Sequence, residues 1–308
     1  MPTICLAAAT QRGYRCLETL ASVVPDAHFV VFSFREEAHE PAFFEDIWRL
    51  TKRMNGTFIE TRNLGEPGLD AFWSETRVDL MLCVSWRYMI PERIYLRAAK
   101  GAFVFHDSLL PRYRGFAPTV WALINGESRT GVTLFEIASE VDAGDIVDQV
   151  EVTIGPDETI TSLIERVTNA YIEVMKRTVP QLLTGAGPRV KQDEADATYT
   201  CKRILDDNRI DWTRDAQSIY NLIRAVTRPY PGAFAFYNEQ KITIWAATRT
   251  EHRRYVGCRP GRIVEVWPDR GAVVQTGSGL LLITEVQIGV EPPICASKVL
   301  KSIAGTLK

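Results

Sequence analysis

The stretch VDLMLCVS, residues 78–85, is apolar on both faces of the strand that it predicts. Such a strand is typical of the interior of a parallel sheet that helices cover on each side. Strand-like runs and helical patterns alternate around it: strands at 3–9, 28–34, 101–106 and 132–137, and helices at 12–23, 43–54 and 158–183. This alternation predicts an α/β fold with a doubly wound, mostly parallel sheet.

The pattern changes class in the last third of the chain. Residues 184–200 contain Gly185, Gly187 and Pro188 followed by a polar run, which is typical of a linker. Beyond them, a helix at 216–226 precedes short strands at 232–237, 241–247, 261–267, 272–275 and 279–287. We therefore predict a first domain over residues 1–188 and a small OB-like β-barrel domain with a leading helix over 189–308.

Composition excludes several classes of protein. The 308 residues carry a formal net charge of −2, which is not the basic balance of a protein that grips nucleic acid. There is no apolar run long enough to span a bilayer and no signal-peptide pattern at the start, so we expect a cytoplasmic protein without a membrane partner. The six cysteines form no Cys-x-x-Cys pair and the four histidines are scattered, so we expect free thiols and no metal site.

Two polar segments follow predicted strands. Residues 105–115 read FHDSLLPRYRG and place His106 where a strand ends, and residues 140–145 read EVDAGD and follow the strand at 132–137. Ligands of doubly wound sheets bind at the carboxyl ends of strands, so both segments suit a site. A lone histidine is often structural, and an acidic residue before Ala-Gly is also common in turns.

The two segments together resemble a known family signature. The matching positions are His106, Ser108 to Pro111, Arg114-Gly115, Pro118, Gly126, Thr130 to Thr133, Asp142 and Gly144-Asp145. This pattern resembles that of the 10-formyltetrahydrofolate-dependent formyltransferases, which act on methionyl-tRNA, amino sugars, lipid A aminoarabinose or glycinamide ribonucleotide. Residues 197–199, 210–212, 224, 229–233 and 285–287 resemble the C-terminal domain of the tRNA and aminoarabinose members.

The resemblance implies a Rossmann-like formyltransferase domain and a reaction. A formyl group passes from the co-substrate 10-formyltetrahydrofolate to an amine, without a metal. His106 is expected to donate to the oxyanion or carry a proton, Asp142 to orient His106 and help deprotonate the amine, and Ser108 to assist. The folate is expected to bind at two loops, formed by Ser85, Trp86, Arg87, Tyr88, Met89 and Ile90 and by Val141, Ala143, Gly144 and Asp145.

Val104 departs from the family pattern. Most members have an asparagine two residues before the histidine, and a valine side chain cannot donate a hydrogen bond. Three explanations stay open: another donor such as Ser108, Arg87 or a water replaces it, the enzyme is slower, or the reaction is hydrolysis of 10-formyltetrahydrofolate. The last fits because the hydrolase domain of 10-formyltetrahydrofolate dehydrogenase has an aliphatic residue there.

The acceptor is predicted from the same segment. Residues 105–118, FHDSLLPRYRGFAP, are most similar to the sugar-modifying branch, which implies a nucleotide-linked amino sugar for a surface polysaccharide such as lipopolysaccharide. Residues 35–40 are acidic on balance, which disfavours the tRNA alternative. A homodimer is left open. Candidate diphosphate and stacking residues, each equally able to form ordinary surface or packing contacts, are Arg112, Arg114, Arg203, Arg224, Tyr113 and Tyr230.

Overall fold

A computed structural model describes residues 1–37, 40–251 and 253–308, so His39 of the predicted acidic segment lies outside the described residues. The described chain divides into two compact units. The first unit contains residues 1–118, 129–153 and 165–200, and the second contains residues 119–128, 154–164 and 201–308. Because the units are interleaved along the chain, the domain boundary after residue 188 stays a prediction.

The strands and helices are as follows. The strands are β1 (Thr3–Ala8), β2 (His28–Ser33), β3 (Thr57–Glu60), β4 (Leu80–Val84), β5 (Ala102–His106), β6 (Arg114–Gly115), β7 (Arg129–Glu136), β8 (Ile146–Thr153), β9 (Tyr199–Thr200), β10 (Ala233–Tyr237), β11 (Gln240–Thr250), β12 (Ile263–Trp267), β13 (Gly271–Gln275), β14 (Leu280–Ile288) and β15 (Ile294–Cys295). The helices are α1 (Thr10–Val23), α2 (Phe44–Arg53), α3 (Asp70–Glu75), α4 (Glu92–Tyr95), α5 (Pro118–Ile124), α6 (Ile160–Leu183) and α7 (Ala216–Val226).

The main sheet of the first unit has the order β3-β2-β1-β4-β5-β7-β8. The first five strands in that order are parallel, and β7 and β8 are antiparallel to their neighbours. Every residue of β4 is buried, because β4 lies at the centre of the sheet and is covered on both faces. The prediction of a parallel-dominated α/β sheet from residues 78–85 is thereby confirmed.

The register of the strands shows which residues lie beside Val104 and His106 in the sheet. Cys83 of β4 lies opposite Val104 of β5, and His106 at the end of β5 lies opposite Thr133 of β7. Burial raises the pKa of the Cys83 thiol to about 12, so this side chain is a neutral, unreactive thiol at physiological pH. The end of β5 therefore has an apolar neighbour on the β4 side.

The second unit is built on an antiparallel sheet with the order β10-β11-β14-β13-β12, and β15 pairs with β14. All five strands that the sequence predicts after residue 231 are present in it. Helix α7 begins after Asp215, whose carboxylate accepts a hydrogen bond from Ser218 N and satisfies one free N–H of the first turn. No helix within the described ranges is long and apolar enough to cross a bilayer.

Candidate active site

His106 is held at one ring nitrogen by the backbone of the loop that follows it. Its Nε2 lies 2.8 Å from the carbonyl oxygen of Tyr113. A carbonyl oxygen can only accept a hydrogen bond, so Nε2 carries the proton and donates it. The side chain is about 10 % exposed. The other nitrogen, Nδ1, is consequently the one that is left for chemistry.

Asp142 approaches that second nitrogen. Its Oδ2 lies 3.7 Å from His106 Nδ1 and accepts a hydrogen bond of 2.7 Å from Gly115 N. The separation of 3.7 Å is too long for a direct hydrogen bond, but it makes the two side chains immediate neighbours. Residues 36 positions apart along the chain thus meet at the carboxyl end of β5, where the sequence motifs predict a site.

This arrangement suits proton transfer beside an electrophile. With Nε2 bound to the Tyr113 carbonyl, Nδ1 is the ring atom that can exchange a proton with a reacting group. The carboxylate is itself oriented by the Gly115 N–H, and it can accept a proton from a group that reacts next to the two side chains. The pair is therefore equipped to stabilise a developing negative charge and to remove a proton in one step.

Ser108 faces away from this chemistry. It is 2 % exposed, and its hydroxyl donates to the carbonyl oxygen of Arg112 at 2.7 Å. Because a hydroxyl has a single proton, Ser108 cannot also donate to an oxyanion without breaking this bond. In this structure the hydroxyl closes the loop of residues 108–112, and a catalytic role for Ser108 stays a prediction.

The predicted folate loop follows β4, at the same sheet edge as His106. Ser85 has a positive φ of 54°, which turns the chain sharply after the strand. Trp86 packs edge-on against Phe34 and Tyr88, with ring centroids 5.4 and 5.6 Å apart. Its Nε1 is a buried donor for which the described residues provide no hydrogen-bond acceptor.

Arg87 and Met89 are exposed, unlike the other residues of this loop. The Arg87 guanidinium donates two hydrogen bonds to Glu40, at 2.9 and 2.6 Å, and a guanidinium has five N–H donors, so Arg87 stays a candidate replacement for the donor that Val104 lacks. Met89 is 74 % exposed, and Tyr88 and Ile90 are partly buried. On the opposite loop, Val141 is 52 % exposed, whereas Ala143 and Asp145 are partly buried and Gly144 is buried.

Gly144 fixes the course of that second loop. A Cβ atom at this position would lie 1.7 Å from the carbonyl oxygen of Glu136, which excludes any side chain. Asp145 O in turn accepts a hydrogen bond from Glu136 N at 2.9 Å. The loop that carries Asp142 is therefore pressed against the end of β7.

Arg114 does not face an acceptor. Its side chain is fully buried, and its guanidinium donates to Glu194, Gln192 and the Tyr199 hydroxyl. The hydrogen bond with Glu194 raises the pKa of Arg114, so the group stays charged. The expectation that Arg114 binds a diphosphate is corrected, because none of its surface is accessible. Its neighbour Arg112 is exposed and lies 5.9 Å from the ring of Tyr113.

The remaining acceptor candidates belong to the second unit. Arg224 is 5 % exposed and donates to the carbonyl oxygens of Gly155 and Glu158, so its expected diphosphate contact is corrected for the same reason as that of Arg114. Arg203 lies 4.8 Å from the Trp121 ring, and its Nη1 has no hydrogen-bond partner in the described structure. Tyr230 is 38 % exposed.

A buried cluster next to the site was not expected from the sequence. Asp107, the residue after His106, accepts hydrogen bonds from Arg12 at 2.7 and 2.8 Å and from the Tyr171 hydroxyl. The Tyr171 hydroxyl also lies 3.2 Å from the carbonyl oxygen of Phe105. These side chains hold the end of β5 from the side away from Asp142. No local pattern could reveal them, since Arg12 and Tyr171 lie far from Asp107 along the chain.

Comparison with known families agrees with the motifs. Residues 22–179, more than half of the chain, match the model of the formyl transferase family. Residues 204–304 match the model of the formyl transferase C-terminal domain. The two matches fall on both sides of the polar stretch at 184–200.

Solved structures share the fold. The N-formyltransferase from Helicobacter canadensis, in complex with folinic acid and dTDP-3-aminofucose, is 18% identical, with a TM-score of 0.71 over 92% of this chain and 99% of that one. WlaRD, a sugar 3N-formyltransferase with dTDP and 5-N-formyl-THF, has the same identity and TM-score over 95% and 99%. HypX from Aquifex aeolicus, with tetrahydrofolic acid, gives 18% and 0.62 over 97% of this chain, which spans only 47% of HypX. At these identities the likeness shows the fold alone.

Proposed function

Because the chain belongs to the formyl transferase family, we propose that it transfers a formyl group from 10-formyltetrahydrofolate to the amine of a nucleotide-linked amino sugar. The observation that supports this most strongly is the approach of His106 Nδ1 to Asp142 Oδ2, 3.7 Å apart at the carboxyl end of β5. The donor supplies an electrophilic formyl carbon, which the acceptor nitrogen attacks. The bond from that carbon to the folate nitrogen then breaks, and the folate nitrogen takes up a proton.

The proposed roles follow from the geometry of the pair. His106, anchored through Nε2, presents Nδ1 and stabilises the oxyanion that forms on the formyl oxygen. Asp142 accepts the proton that the attacking amine loses, while the Gly115 N–H keeps its carboxylate in place. One proton leaves the acceptor nitrogen and one reaches the leaving nitrogen, so the enzyme ends the cycle in its starting protonation state.

The folate loops fit a pterin. A pterin ring has several nitrogen and oxygen acceptors along its edge, and the unpaired Trp86 Nε1 is a donor of matching chemistry. Ser85, Arg87, Tyr88, Met89 and Ile90 would complete one wall. The loop of Val141, Ala143, Gly144 and Asp145 would form the other, through backbone groups. Support for this assignment also comes from the folates bound by the similar enzymes.

The acceptor assignment is the finer part of the proposal. Two structurally similar enzymes hold dTDP or dTDP-3-aminofucose, which favours a sugar nucleotide. In the first unit, exposed Arg112 is the guanidinium group proposed to meet its phosphates and Tyr113 its base or sugar. In the second unit, Arg203 and Tyr230 stay separate candidates for the same two roles. We further propose that the second unit is OB-like, and that the product serves a surface polysaccharide such as lipopolysaccharide and is made in the cytoplasm.

A panel of acceptors tests the proposal directly. Purified protein is incubated with 10-formyltetrahydrofolate and dTDP-, UDP- or GDP-linked amino sugars, and mass spectrometry reports products. We expect a formamide, 28 mass units heavier than the acceptor as formyl replaces hydrogen, for at least one sugar. Charged initiator tRNA is the control for the other acceptor class. Formylation of the tRNA alone would reject the sugar assignment and keep the transferase.

Hydrolysis is the second candidate function, favoured by the surroundings of Val104. Val104 is partly buried against the apolar cluster that contains Cys83, and the single hydroxyl proton of Ser108 is already donated to the Arg112 carbonyl. The observation that favours hydrolysis is the aliphatic residue itself, which this chain shares with the hydrolase domain of 10-formyltetrahydrofolate dehydrogenase.

Restoring the missing donor separates the two candidates. We expect Val104→Asn to raise the ratio of formamide formed to donor consumed, because it replaces the aliphatic residue shared with the hydrolase domain by the asparagine of most transferases. The measurement compares folate release with formamide formation in the same reaction, and Val104→Ile serves as the aliphatic control. An unchanged ratio would show that residue 104 does not select the reaction.

A further inference from the structure

We infer that Gln192 is a positioning residue that holds the backbone of Asp142, and that residues 189–200 therefore form part of the active site rather than a passive linker. This inference rests on the proposed function only in calling Asp142 catalytic. The geometry that supports it lies wholly within the first unit.

The amide nitrogen of Gln192 bridges two carbonyl groups of the Asp142 loop. Its Nε2 donates to Asp142 O and to Gly144 O, both at 2.8 Å. An amide has two N–H donors, so both are satisfied by this loop. The two carbonyls flank Ala143, and a single side chain thereby fixes the loop on both sides of that residue.

The amide oxygen of Gln192 is held by Arg114. Nε and Nη2 of Arg114 donate to Gln192 Oε1 at 3.1 and 2.8 Å. A guanidinium has donors only, so the amide cannot flip: its oxygen must face Arg114 and its nitrogen must face the loop. Glu194 fixes the guanidinium through hydrogen bonds of 2.6 and 2.8 Å.

Asp142 is a residue that needs such support. Its φ of 54° lies in the left-handed region, which a non-glycine residue adopts only at a free-energy cost. Its carboxylate is bound by Gly115 N and its carbonyl by Gln192, whose oxygen is bound by Arg114. Both ends of Asp142 are thus tied to residues 114–115, which themselves pair with residues 199–200.

Two substitutions separate positioning from structural support. Gln192→Glu keeps the oxygen that accepts from Arg114 and adds a favourable charge, but it replaces the donor to Asp142 and Gly144 with a second acceptor. Gln192→Met removes both sets of hydrogen bonds at nearly constant volume. Gln181→Glu, at an exposed glutamine near the end of α6, is the matched control for the change of charge.

Positioning predicts that the two Gln192 variants lose activity for a reason unrelated to folding. A misplacement of about 1 Å at a catalytic group can lower the rate by about 10²-fold. We expect kcat to fall at least ~10-fold in both variants, with KM for the acceptor nearly unchanged. Gln192→Glu should keep the melting temperature of the wild type, and Gln181→Glu should keep its kcat as well.

An independent readout follows Asp142 itself. The Gly115 amide proton is bound to Asp142 Oδ2, so its hydrogen exchange, followed by NMR, reports on the carboxylate. We expect faster exchange at Gly115 in both Gln192 variants. If Gln192→Glu keeps both the wild-type kcat and the wild-type protection of the Gly115 amide from exchange, the inference is overturned. The function of Gln192 would then be to support Arg114. If the wild type transfers no formyl group, the proposed function fails, and the exchange measurement still decides the role of Gln192.

Discussion

Replacement of His106 by glutamine is expected to slow formyl transfer by about 10³-fold, since its proposed role combines oxyanion stabilisation with proton transfer. Glutamine has a similar length, and its amide can still donate to the carbonyl oxygen of Tyr113, as His106 Nε2 does at 2.8 Å. The loop after β5 should therefore remain in place. What the variant lacks is a second nitrogen that can hold a proton beside Asp142.

Asp142→Asn should lower the rate by a similar factor. The asparagine oxygen can still accept the hydrogen bond from Gly115 N, but an amide cannot take a proton from the attacking amine. Groups that act as a unit are not additive, so the double variant should be little slower than either single variant. Initial rates of formamide formation measure all three.

A histidine elsewhere in the sheet provides the matched control. His28 lies at the amino end of β2, where its Nε2 is 3.3 Å from Thr57 Oγ1. His28→Gln makes the same chemical change at the opposite edge of the sheet and should keep wild-type rates. Near-normal rates in folded His106→Gln, judged by melting curves, would remove the imidazole from the proposed mechanism.

The fold was predictable from the sequence where the burial of an element requires a recognisable pattern of apolar residues. Residues 80–84 are apolar without interruption because β4 is covered on both faces, and that pattern identifies a central parallel strand. The helix at 216–226 was predicted with its actual bounds, and the structure adds that Asp215 caps its first turn. Strand β8, Ile146–Thr153, was not predicted, because it lies at the sheet edge and half of its residues are partly exposed and polar.

The sequence indicated candidate residues of the site, but it did not predict the contacts between them. The family motifs indicated His106 and Asp142, but no pattern links Gln192 to Asp142, which lies 50 residues away. Residues 184–200 are polar and glycine-containing, which is also the composition of a linker, although residues 189–200 dock on the site. Arg114 resembled a phosphate ligand because charge is visible in a sequence and burial of a charged side chain is not.

Asp107→Asn is expected to lower the free energy of unfolding by about 3 kcal/mol, because it leaves the largely buried Arg12 without its carboxylate. The Asp107 carboxylate binds Nη1 of Arg12 at 2.7 Å, and the two side chains are 20% and 13% exposed. We place the value at the lower end of the usual range for broken buried ion pairs, since Arg12 keeps its contacts with Thr168 and the Tyr171 ring. Urea denaturation at pH 7 measures the difference.

The pH dependence of this effect has a defined sign. Burial alone would raise the pKa of Asp107, but Arg12 and the Tyr171 hydroxyl outweigh it, and the pKa is lowered. A carboxyl group whose pKa is lower in the folded state stabilises the fold above its unfolded pKa, about 3.9, and loses that contribution as the pH falls through the folded value. The stability difference between wild type and Asp107→Asn should therefore be fully present at pH 7 and shrink below about pH 4.

An exposed ion pair in the same unit calibrates the measurement. Glu151 and Arg129 lie 3.1 Å apart with side chains 48% and 57% exposed, and Glu151→Gln should change the free energy of unfolding by less than about 1 kcal/mol. If Asp107→Asn is equally mild, the carboxylate contributes no more than a surface charge. If it is costly, then the residue that follows His106 anchors the end of β5 from one side while the Tyr113 carbonyl orients the imidazole from the other. His106 would then owe its position to two sets of contacts, neither of them with Asp142.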